Sequence, residues 1–367
     1  MENETANQNL AKSTETQSVP PIKTRWRIAL LILILIICLD IAGWFGYQQF
    51  FKNRQPSNSK TAYTGSVKVG YISSWPGHLG LFLARDKGYF KEEGLVVELK
   101  KYDGGTPLLD DYVHGRLQGR ADLTLDAIIE AYKGLDHKTV LAIDYSNGAD
   151  GIISSSNIKN FQDVKGKKFA FENGSIEEFF TLYALQQNNL TIKDIIPVNL
   201  DAEKAAKALA KGDVDVATTF EPVLGQVVGQ IHGNRLYTSA DAPGIITDTL
   251  DFRSDFINHY PDAVQRFIKA YFKGVQYWKD HPADADRLIG KELGVSAAEV
   301  NSALAGIKVL NVQDNTSAFT FAAGLQSLYG NMRQVGRFIV SQKATISAQI
   351  DTDTLIEPKF IKNLSNQ

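Results

Sequence analysis

Short apolar runs alternate along the chain with segments whose apolar residues recur three and four positions apart. In the first series this pattern predicts strands at Val67–Ile72 and Val96–Tyr102 on either side of a helix at Leu79–Lys87. A second series begins with a strand at Lys168–Phe171 and a helix at Ser175–Gln187. Strands that alternate with amphipathic helices are typical of an α/β fold with a largely parallel sheet. The two series predict two α/β lobes.

A short internal repeat supports the prediction of two related lobes. Gly119 to Asp122 continues into a predicted strand that ends just before Asp126. In the second series, Gly212 to Asp215 continues into a strand that ends just before Glu221. Both copies follow a helix, so each would place a carboxylate at the point where a strand meets the next helix.

The longest apolar run is Ile28–Tyr47, which has about 20 residues and is therefore long enough to cross a bilayer as a helix. We expect a disordered polar tail at 1–27, a transmembrane signal anchor at 28–47 and a linker at 48–65. The shorter stretch Ile28–Leu39 is alternatively the apolar region of a cleaved signal peptide. An uncleaved anchor is favoured because no small-x-small cleavage site follows the run.

The anchor predicts where the protein resides. Lys23, Arg25 and Arg27 directly precede the apolar run, and positive residues favour the cytoplasmic side of a membrane. The predicted localisation is therefore the cytoplasmic membrane, with a single pass and with the globular part on the extracytoplasmic, periplasmic side.

Composition excludes several classes of protein. The 367 residues are 44% hydrophobic and 22% charged, and the formal net charge is -2, so nothing indicates a nucleic-acid partner. Cys38 is the only cysteine in the sequence, which rules out an intramolecular disulfide and a cysteine metal site. The six histidines lack metal-ligand spacing. No metal and no cofactor are expected.

Candidate ligand contacts lie where strands meet helices, because ligands of open α/β sheets bind beyond the carboxyl ends of the strands. Trp75 follows the first strand and is the best single candidate, since an aromatic ring in a loop can stack on a ligand. The two glycines after Asp103 would expose backbone amides. The candidate ligand-binding residues are Trp75, Asp103, Gly104, Asp126, Asn147, Asp150, Glu172, Ser175 and Glu221.

These candidates leave the charge of the ligand open. The acids occur without arginine or lysine at the same junctions, which favours a ligand with an amine or N–H donors. A bound oxyanion can instead rest on helix N-termini and backbone amides. Each candidate also has a structural explanation, since any helix needs a cap; Ser175 with Glu178 three residues later is a capping box.

Three motifs resemble a known family. They are "VKVGYISSWPGHLGLFLARDKGYFKEEGL" at Val67–Leu95, "DVKGKKFAFENGS" at Asp163–Ser175 and "GDVDVATTFEP" at Gly212–Pro222. This combination resembles the solute-binding proteins of ABC importers in the nitrate/sulfonate/taurine and thiamin-pyrimidine precursor family. The resemblance spans roughly Val67 to Tyr277 and points to the family more specifically than to a ligand.

The resemblance implies a type II periplasmic-binding-protein fold, in which two α/β lobes close on a small solute. Lobe 1 would comprise 66–147 and 247–340, lobe 2 would comprise 148–246, and 341–367 would be a C-terminal extension. The implied partners are a small-molecule ligand, an ABC permease and its ATPase, and the membrane through the N-terminal helix. Two departures from the family are that helix and the lack of a basic residue at the expected cleft.

The expected function is therefore extracytoplasmic capture of a small polar solute, either nitrate/sulfonate/taurine-like or aminopyrimidine/amine-like, without catalysis. The sequence has no Gly-x-Ser-x-Gly, Walker A or Gly-x-Gly-x-x-Gly motif. One alternative is an enzyme of the thiamin-pyrimidine type, but its cysteine-rich motif cannot form with Cys38 alone. A second alternative is a ligand-sensing ectodomain, which would act through a partner because the short N-terminal tail leaves no room for a signalling domain.

Overall fold

The computed structural model describes most of the chain after the predicted linker. The predicted tail, the predicted anchor at 28–47 and most of the predicted linker lie outside the described residues. Within the described ranges, every helix is too short or too polar to cross a membrane. The described ranges are 63–72, 74–103, 105–342 and 350–365.

The strands are short, and several coincide with apolar runs in the sequence. The predicted bounds of the strands Val96–Tyr102 and Lys168–Phe171 match the structure to the residue. The strands of the described chain are β1 (Ser66–Ile72), β2 (Val96–Tyr102), β3 (Gly119–Leu123), β4 (His137–Ser146), β5 (Asp150–Ser154), β6 (Lys168–Phe171), β7 (Ile196–Asn199), β8 (Val216–Phe220), β9 (Asn234–Thr238), β10 (Thr247–Arg253) and β11 (Ile307–Val309).

The helices follow the strands in the first two thirds of the described chain and dominate the last third. The α-helices of the described chain are α1 (Leu79–Asp86), α2 (Tyr89–Glu92), α3 (Gly105–Val113), α4 (Thr124–Tyr132), α5 (Ile176–Gln187), α6 (Ala202–Lys211), α7 (Val223–Ile231), α8 (Ser254–His259), α9 (Pro261–Asp280), α10 (Pro282–Leu293), α11 (Ala297–Leu304), α12 (Val312–Ala318), α13 (Leu328–Gln342) and α14 (Lys359–Ser365).

The strands form two mixed sheets, which confirms the prediction of two α/β units. The expectation of a largely parallel sheet is wrong, because at least half of the strand pairs in each sheet are antiparallel. The first sheet has the order β11-β4-β10-β3-β1-β2, and the second has the order β7-β6-β8-β5-β9. In the first sheet β1 runs parallel to β2 and β3, while β10 runs antiparallel to β3 and β4. In the second sheet β5 runs antiparallel to both β8 and β9. The antiparallel strands β5 and β10 directly follow the passages of the chain from one sheet to the other.

The first of these passages is shorter than the sequence predicts. The sequence interpretation takes Tyr145–Gly151 as a crossing that is too polar and glycine-rich for a strand. In the structure β4 continues to Ser146 and β5 begins at Asp150, so only Asn147 to Ala149 lie between strands. That interpretation is therefore wrong at both ends, because backbone pairing to β10, β8 and β9 holds these polar residues in strands. The lobe boundaries at 148 and 246 stay a prediction, although each sheet's strands fall on one side of them.

Helices α1 and α9 cover the first sheet and approach each other closely. A Cβ atom on Gly274 would lie 2.5 Å from the carbonyl oxygen of Gly80 and 3.0 Å from the amide nitrogen of Ala84. Around this contact Val264, Phe267 and other apolar residues of α9 are fully buried. Gly80 and Gly274 thus permit this close packing. The packing holds α1 in place, and it also holds the loop that precedes α1.

Candidate ligand-binding site

A cavity of about 130 Å³ is lined by residues from both sheets and from the segments that follow their strands. It lies where β1 and β3 of the first sheet and β8 of the second sheet end. This position agrees with the rule that ligands of open α/β sheets bind beyond the carboxyl ends of the strands. The lining residues are Ile72, Ser74, Trp75, His78, Asp122, Leu123, Asp150, Ile176, Glu177, Phe220, Ile246 and Asp248.

Two aromatic rings form part of the wall of this cavity. Trp75 precedes a one-turn 3-10 helix after β1, and Phe220 is the last residue of β8. Their ring centroids are 6.4 Å apart, and the ring planes are inclined at 80°, an edge-to-face arrangement. Because β1 and β8 belong to different sheets, this pair joins the two walls of the cavity.

A hydrogen bond to a buried carboxylate fixes the orientation of the Trp75 ring. Its indole Nε1 donates a hydrogen bond to Asp144 Oδ2 at 3.1 Å. A Cβ atom on Gly77 would collide with Asp144 Oδ2 and would lie 2.5 Å from Trp75 Nε1. Position 77 therefore has to be glycine for this hydrogen bond to form with the present backbone.

Carboxylates dominate the polar part of the wall in the first sheet. Asp144 of β4 and Asp248 of β10 are directly opposite each other in the antiparallel pair, and both are buried. Burial raises the pKa of each, and the neighbouring carboxylate adds to the rise for Asp144. Like charges opposite each other in a sheet are destabilising. The hydrogen bond from Trp75 partly compensates Asp144. His78 Nε2 lies 3.3 Å from Asp248 Oδ1, but burial lowers the pKa of that imidazole.

Asp122 of β3 is the best-compensated acid of the wall. Its Oδ2 lies 3.1 Å from Nη1 of Arg120, which is fully buried, and its Oδ1 accepts a hydrogen bond from the Leu123 amide at 2.9 Å. Arg120 also pairs with Glu130 at 2.7 Å and with Asp251 at 3.3 Å. One guanidinium therefore pairs with three carboxylates, and Arg120 is not among the lining residues.

The second sheet contributes two further buried acids. Asp150 is the first residue of β5 and is 7% exposed, and its Oδ2 has no hydrogen-bond partner among the described residues. Burial raises its pKa to about 7, against a lowering hydrogen bond from Ser146. Glu177 lies in the first turn of α5, and burial raises its pKa as well. The described lining residues include no arginine and no lysine.

Two of the nine predicted ligand contacts, Trp75 and Asp150, line the cavity. Ser175 is the N-cap of α5 as predicted, because its Oγ accepts a hydrogen bond from the Glu177 amide at 3.1 Å. The predicted capping box is altered, because Glu178 Oε2 accepts a hydrogen bond from the Gly174 amide at 2.6 Å.

The remaining candidates have other surroundings. Glu221 pairs with Arg235 at 2.7 Å and accepts a hydrogen bond from the Gly225 amide at 3.0 Å, so the expectation of acids without a nearby basic residue is wrong at this junction. Asp126 is hydrogen-bonded to Asp122. Asp103, Asn147 and Glu172 are exposed, and Gly104 lies outside the described residues. A ligand contact by these residues or by Ser175 stays a prediction.

The sequence interpretation missed four acids at or next to the cavity, namely Asp122, Asp144, Glu177 and Asp248. The three aspartates lie inside strands and Glu177 inside a helix, whereas the candidates were taken from the junctions between elements. A usable signal was present in β10, where Thr247 to Asp251 carry two aspartates within a segment that is otherwise suited to a buried strand.

Metal binding is not supported by these acids. In the described residues no three or more His, Cys, Asp or Glu side chains converge as metal ligands would. The carboxylates therefore surround the cavity without forming a coordination shell.

Comparison with known proteins identifies the family. Residues 75–285 match the family model described as NMT1/THI5 like, which is more than half of the chain. The chain belongs to the NMT1/THI5-like family. The matched residues include the lining residues from Trp75 to Asp248.

Relatives of this family member include both binding proteins and an enzyme. A Bacillus subtilis (strain 168) protein described provisionally as an aliphatic sulfonates-binding protein is 26% identical over 63% of this chain and 71% of that protein. The taurine-binding periplasmic protein of Escherichia coli (strain K12) is 22% identical over 64% and 76%. The 4-amino-5-hydroxymethyl-2-methylpyrimidine phosphate synthase THI12 of Saccharomyces cerevisiae is 24% identical over 59% and 69%.

Solved structures support the fold. The periplasmic aliphatic sulphonate binding protein SsuA from Escherichia coli superposes with a TM-score of 0.67 at 19% identity, over 83% of this chain and 100% of that one. The two mixed sheets with a cavity between them therefore form a periplasmic-binding-protein fold, as the sequence motifs imply.

Proposed function

We propose that this chain is the extracytoplasmic solute-binding component of an ABC importer and that it captures one small polar solute per molecule. The observation that carries the proposal is the cavity of about 130 Å³ whose wall takes residues from both sheets. Membership of the NMT1/THI5-like family and the similarity to binding proteins for sulfonates and taurine support it.

The proposed mechanism is closure of two lobes around the solute. A solute that contacts Trp75 on one side and Asp150 on the other has a higher affinity for the closed arrangement, because only that arrangement makes both contacts. Binding then shifts the equilibrium toward closure. The closed form is the state that a permease with its ATPase would recognise.

The predicted transmembrane anchor at 28–47 belongs to the same proposal. It would keep the receptor at the extracytoplasmic face of the cytoplasmic membrane, beside the permease. We expect the full chain to resist extraction of the membrane fraction with alkaline carbonate, and a variant that lacks 28–47 to be recovered in the soluble fraction. Release of the full chain by carbonate, or a mature N-terminus downstream of 47, would contradict the anchor.

The binding function is tested with the purified full chain in detergent micelles. Nitrate, taurine, butane-1-sulfonate, 4-aminopyrimidine and n-butylamine are added one at a time, and thermal unfolding and calorimetric stoichiometry are measured. A ligand at a hundredfold its dissociation constant stabilises the folded state by about 2.7 kcal/mol. We expect one class of solute to bind with one molecule per chain. The absence of binding by every class would contradict the proposal.

The enzyme alternative is separated by the fate of the bound solute. Similarity to the yeast synthase supports this alternative. We expect the solute released by denaturation after prolonged incubation to have an unchanged mass and to be recovered in full. A stoichiometric or catalytic change in its mass would favour the enzyme.

A further inference from the structure

We propose that the solute is a small organic cation, an apolar body of roughly one ring in size that carries a protonated amine or amidine. This inference rests on the proposed binding function and narrows it to one class of substrate. It departs from the sulfonates and taurine that the names of the relatives describe.

The charge of the cavity wall is the first reason. Asp122, Asp150, Glu177 and Asp248 line it, and the described lining residues include neither arginine nor lysine. Arg120, the nearest guanidinium to these acids, is fully buried and is shared with Glu130 and Asp251. An anion in the cavity would therefore meet carboxylates and, on the basic side, only the buried imidazole of His78.

The backbone amides at the two helix starts beside the cavity are the second reason. Oxyanions bind at helix N-termini because the first amide groups there lack partners within the helix. At α4 the Leu123 amide donates to Asp122 Oδ1 at 2.9 Å. At α5 the Glu177 amide donates to Ser175 Oγ at 3.1 Å. Side chains of the protein thus already occupy amide donors that an oxyanion would need.

The state of Asp150 is the third and independent reason. This side chain lines the cavity at 7% exposure, and its Oδ2 lacks a hydrogen-bond partner among the described residues. A buried carboxylate oxygen without a partner is strongly unfavourable unless a ligand supplies a donor or a positive charge. An ammonium or amidinium group supplies both.

The apolar wall and the volume define the rest of the ligand. The rings of Trp75 and Phe220 line the cavity, and aromatic rings attract a cation electrostatically as well as through apolar contact. A cavity of about 150 Å³ holds benzene, so one of about 130 Å³ suits a similar body. A metal ion would not use the aromatic walls, and no three ligating side chains converge in the described residues.

The test compares charge at constant shape on the full chain in detergent micelles. Three carbon frames are used, each with a cationic, a neutral and an anionic member. The first is n-butylamine, 1-butanol and butane-1-sulfonate, and the second is benzylamine, benzyl alcohol and phenylmethanesulfonate. The third is benzamidine, benzamide and benzenesulfonate. Taurine and zinc chloride are added as further probes. In at least one frame we expect the cation to bind about tenfold or more tightly than its neutral and anionic counterparts. The reason is that neither counterpart offers Asp150 a positively charged hydrogen-bond donor.

The pH dependence of affinity gives a second readout. Asp150 has a raised pKa of about 7, and the groups that face it are Ser146 and Asp144 of β4, Glu177 of α5 and Asp248 of β10. A bound cation lowers the pKa of these acids, so its binding releases protons and its affinity rises from about pH 5.5 to about pH 8. A bound anion would show the opposite trend.

Variants locate the effect. Asp150→Asn keeps the shape and removes the charge, and it should weaken binding of the cation by about tenfold or more while the variant stays folded. Asp213→Asn is the matched control, since Asp213 is exposed in the same half of the chain and lies outside the cavity lining. Its affinity should equal that of the parent.

The outcomes separate this inference from the proposed function. Three results would overturn the assignment of an organic cation and would still leave a solute receptor: tighter binding of a sulfonate, of a neutral counterpart or of zinc. Preferred binding of taurine with an affinity that falls as pH rises would have the same consequence. Equal loss of binding in Asp150→Asn and Asp213→Asn would also overturn it. Binding of no probe of any charge would overturn both.

Discussion

At the scale of single residues, acids of the same type have different roles that depend on their partners. Glu221 pairs with Arg235 and accepts a hydrogen bond from the Gly225 amide, so both of its oxygens have partners within the protein. Asp150 has one oxygen without a partner among the described residues, although it is nearly fully buried. The sequence predicts both as acids at strand ends, and only the surrounding contacts distinguish a structural role from an available binding group.

Replacement of Trp75 tests the aromatic wall. Trp75→Ala removes the ring that faces Phe220, and we expect binding of the best cation to weaken by about 1 to 3 kcal/mol, by analogy with aromatic stacking in other sites. Titration calorimetry measures this change. Trp75→Phe keeps a ring but loses the hydrogen bond to Asp144, so it should retain part of the affinity. Unchanged affinity in a folded Trp75→Ala variant would remove the ring from the site.

The site could be predicted from the sequence only where chemistry coincides with a junction between elements. Trp75 and Asp150 were accessible in this way, because an aromatic ring or an acid next to a strand end is unusual. Asp144 and Asp248 could not be predicted in this way. The sequence does not show that β10 lies beside β4 or that these two residues lie opposite each other. Their proximity depends on a pairing between strands that are separated by more than one hundred residues.

At the scale of elements, β2 at the edge of the first sheet and β6 in the second sheet were predictable, and the strands that follow the crossings were not. Val96–Tyr102 and Lys168–Phe171 carry apolar residues in a pattern that local propensity recognises. In contrast, β5 and β10 contain Asp150, Asp248 and Asp251, which are disfavoured in strands. Tertiary contacts, such as that of Asp251 with Arg120 and Thr139, make these strands possible, and such contacts cannot be seen in a local window.

The contact of α1 with α9 gives a prediction for an element. Gly274→Ala would place a methyl group 2.5 Å from the Gly80 carbonyl oxygen, so we expect a loss of about 1 to 3 kcal/mol in the free energy of unfolding. Urea denaturation of the full chain measures it.

Gly229→Ala is the matched control for that variant. Gly229 lies within α7, and a Cβ atom there would have no neighbour within 4 Å. This variant should be more stable by about 0.4 to 1 kcal/mol, because alanine restricts the unfolded chain and favours helix. Equal effects of the two substitutions would contradict the close packing of α1 and α9.

At the scale of the whole molecule, the buried acids make the stability of the ligand-free protein sensitive to pH. Burial raises the pKa of Asp150 to about 7 and that of Glu130 to about 8, and it also raises those of Asp144 and Asp248. Each of these groups binds protons more strongly in the folded chain than in the unfolded chain. Stability must therefore fall as pH rises between the unfolded and the folded pKa values.

We expect the free energy of unfolding of the ligand-free full chain to be several kcal/mol lower at about pH 8 than at about pH 5. Urea denaturation across this range measures the slope. Asp150→Asn should reduce the slope and should be more stable than the parent at the higher pH. A stability that rises steadily with pH would show that these carboxylates have compensating partners.

The edge-to-face pair of Trp75 and Phe220 also provides the molecule with an optical reporter. The sequence has four tryptophans, and Trp278 of α9 is the other one in the described part of the chain. The indole of Trp75 contacts groups from both halves of the fold, so its emission wavelength and its quenching by neighbouring carboxylates respond to their separation. With Trp26, Trp44 and Trp278 replaced by phenylalanine, Trp75 is the one tryptophan left in the sequence, and its fluorescence would follow the opening and closing of the proposed receptor in real time without an added dye.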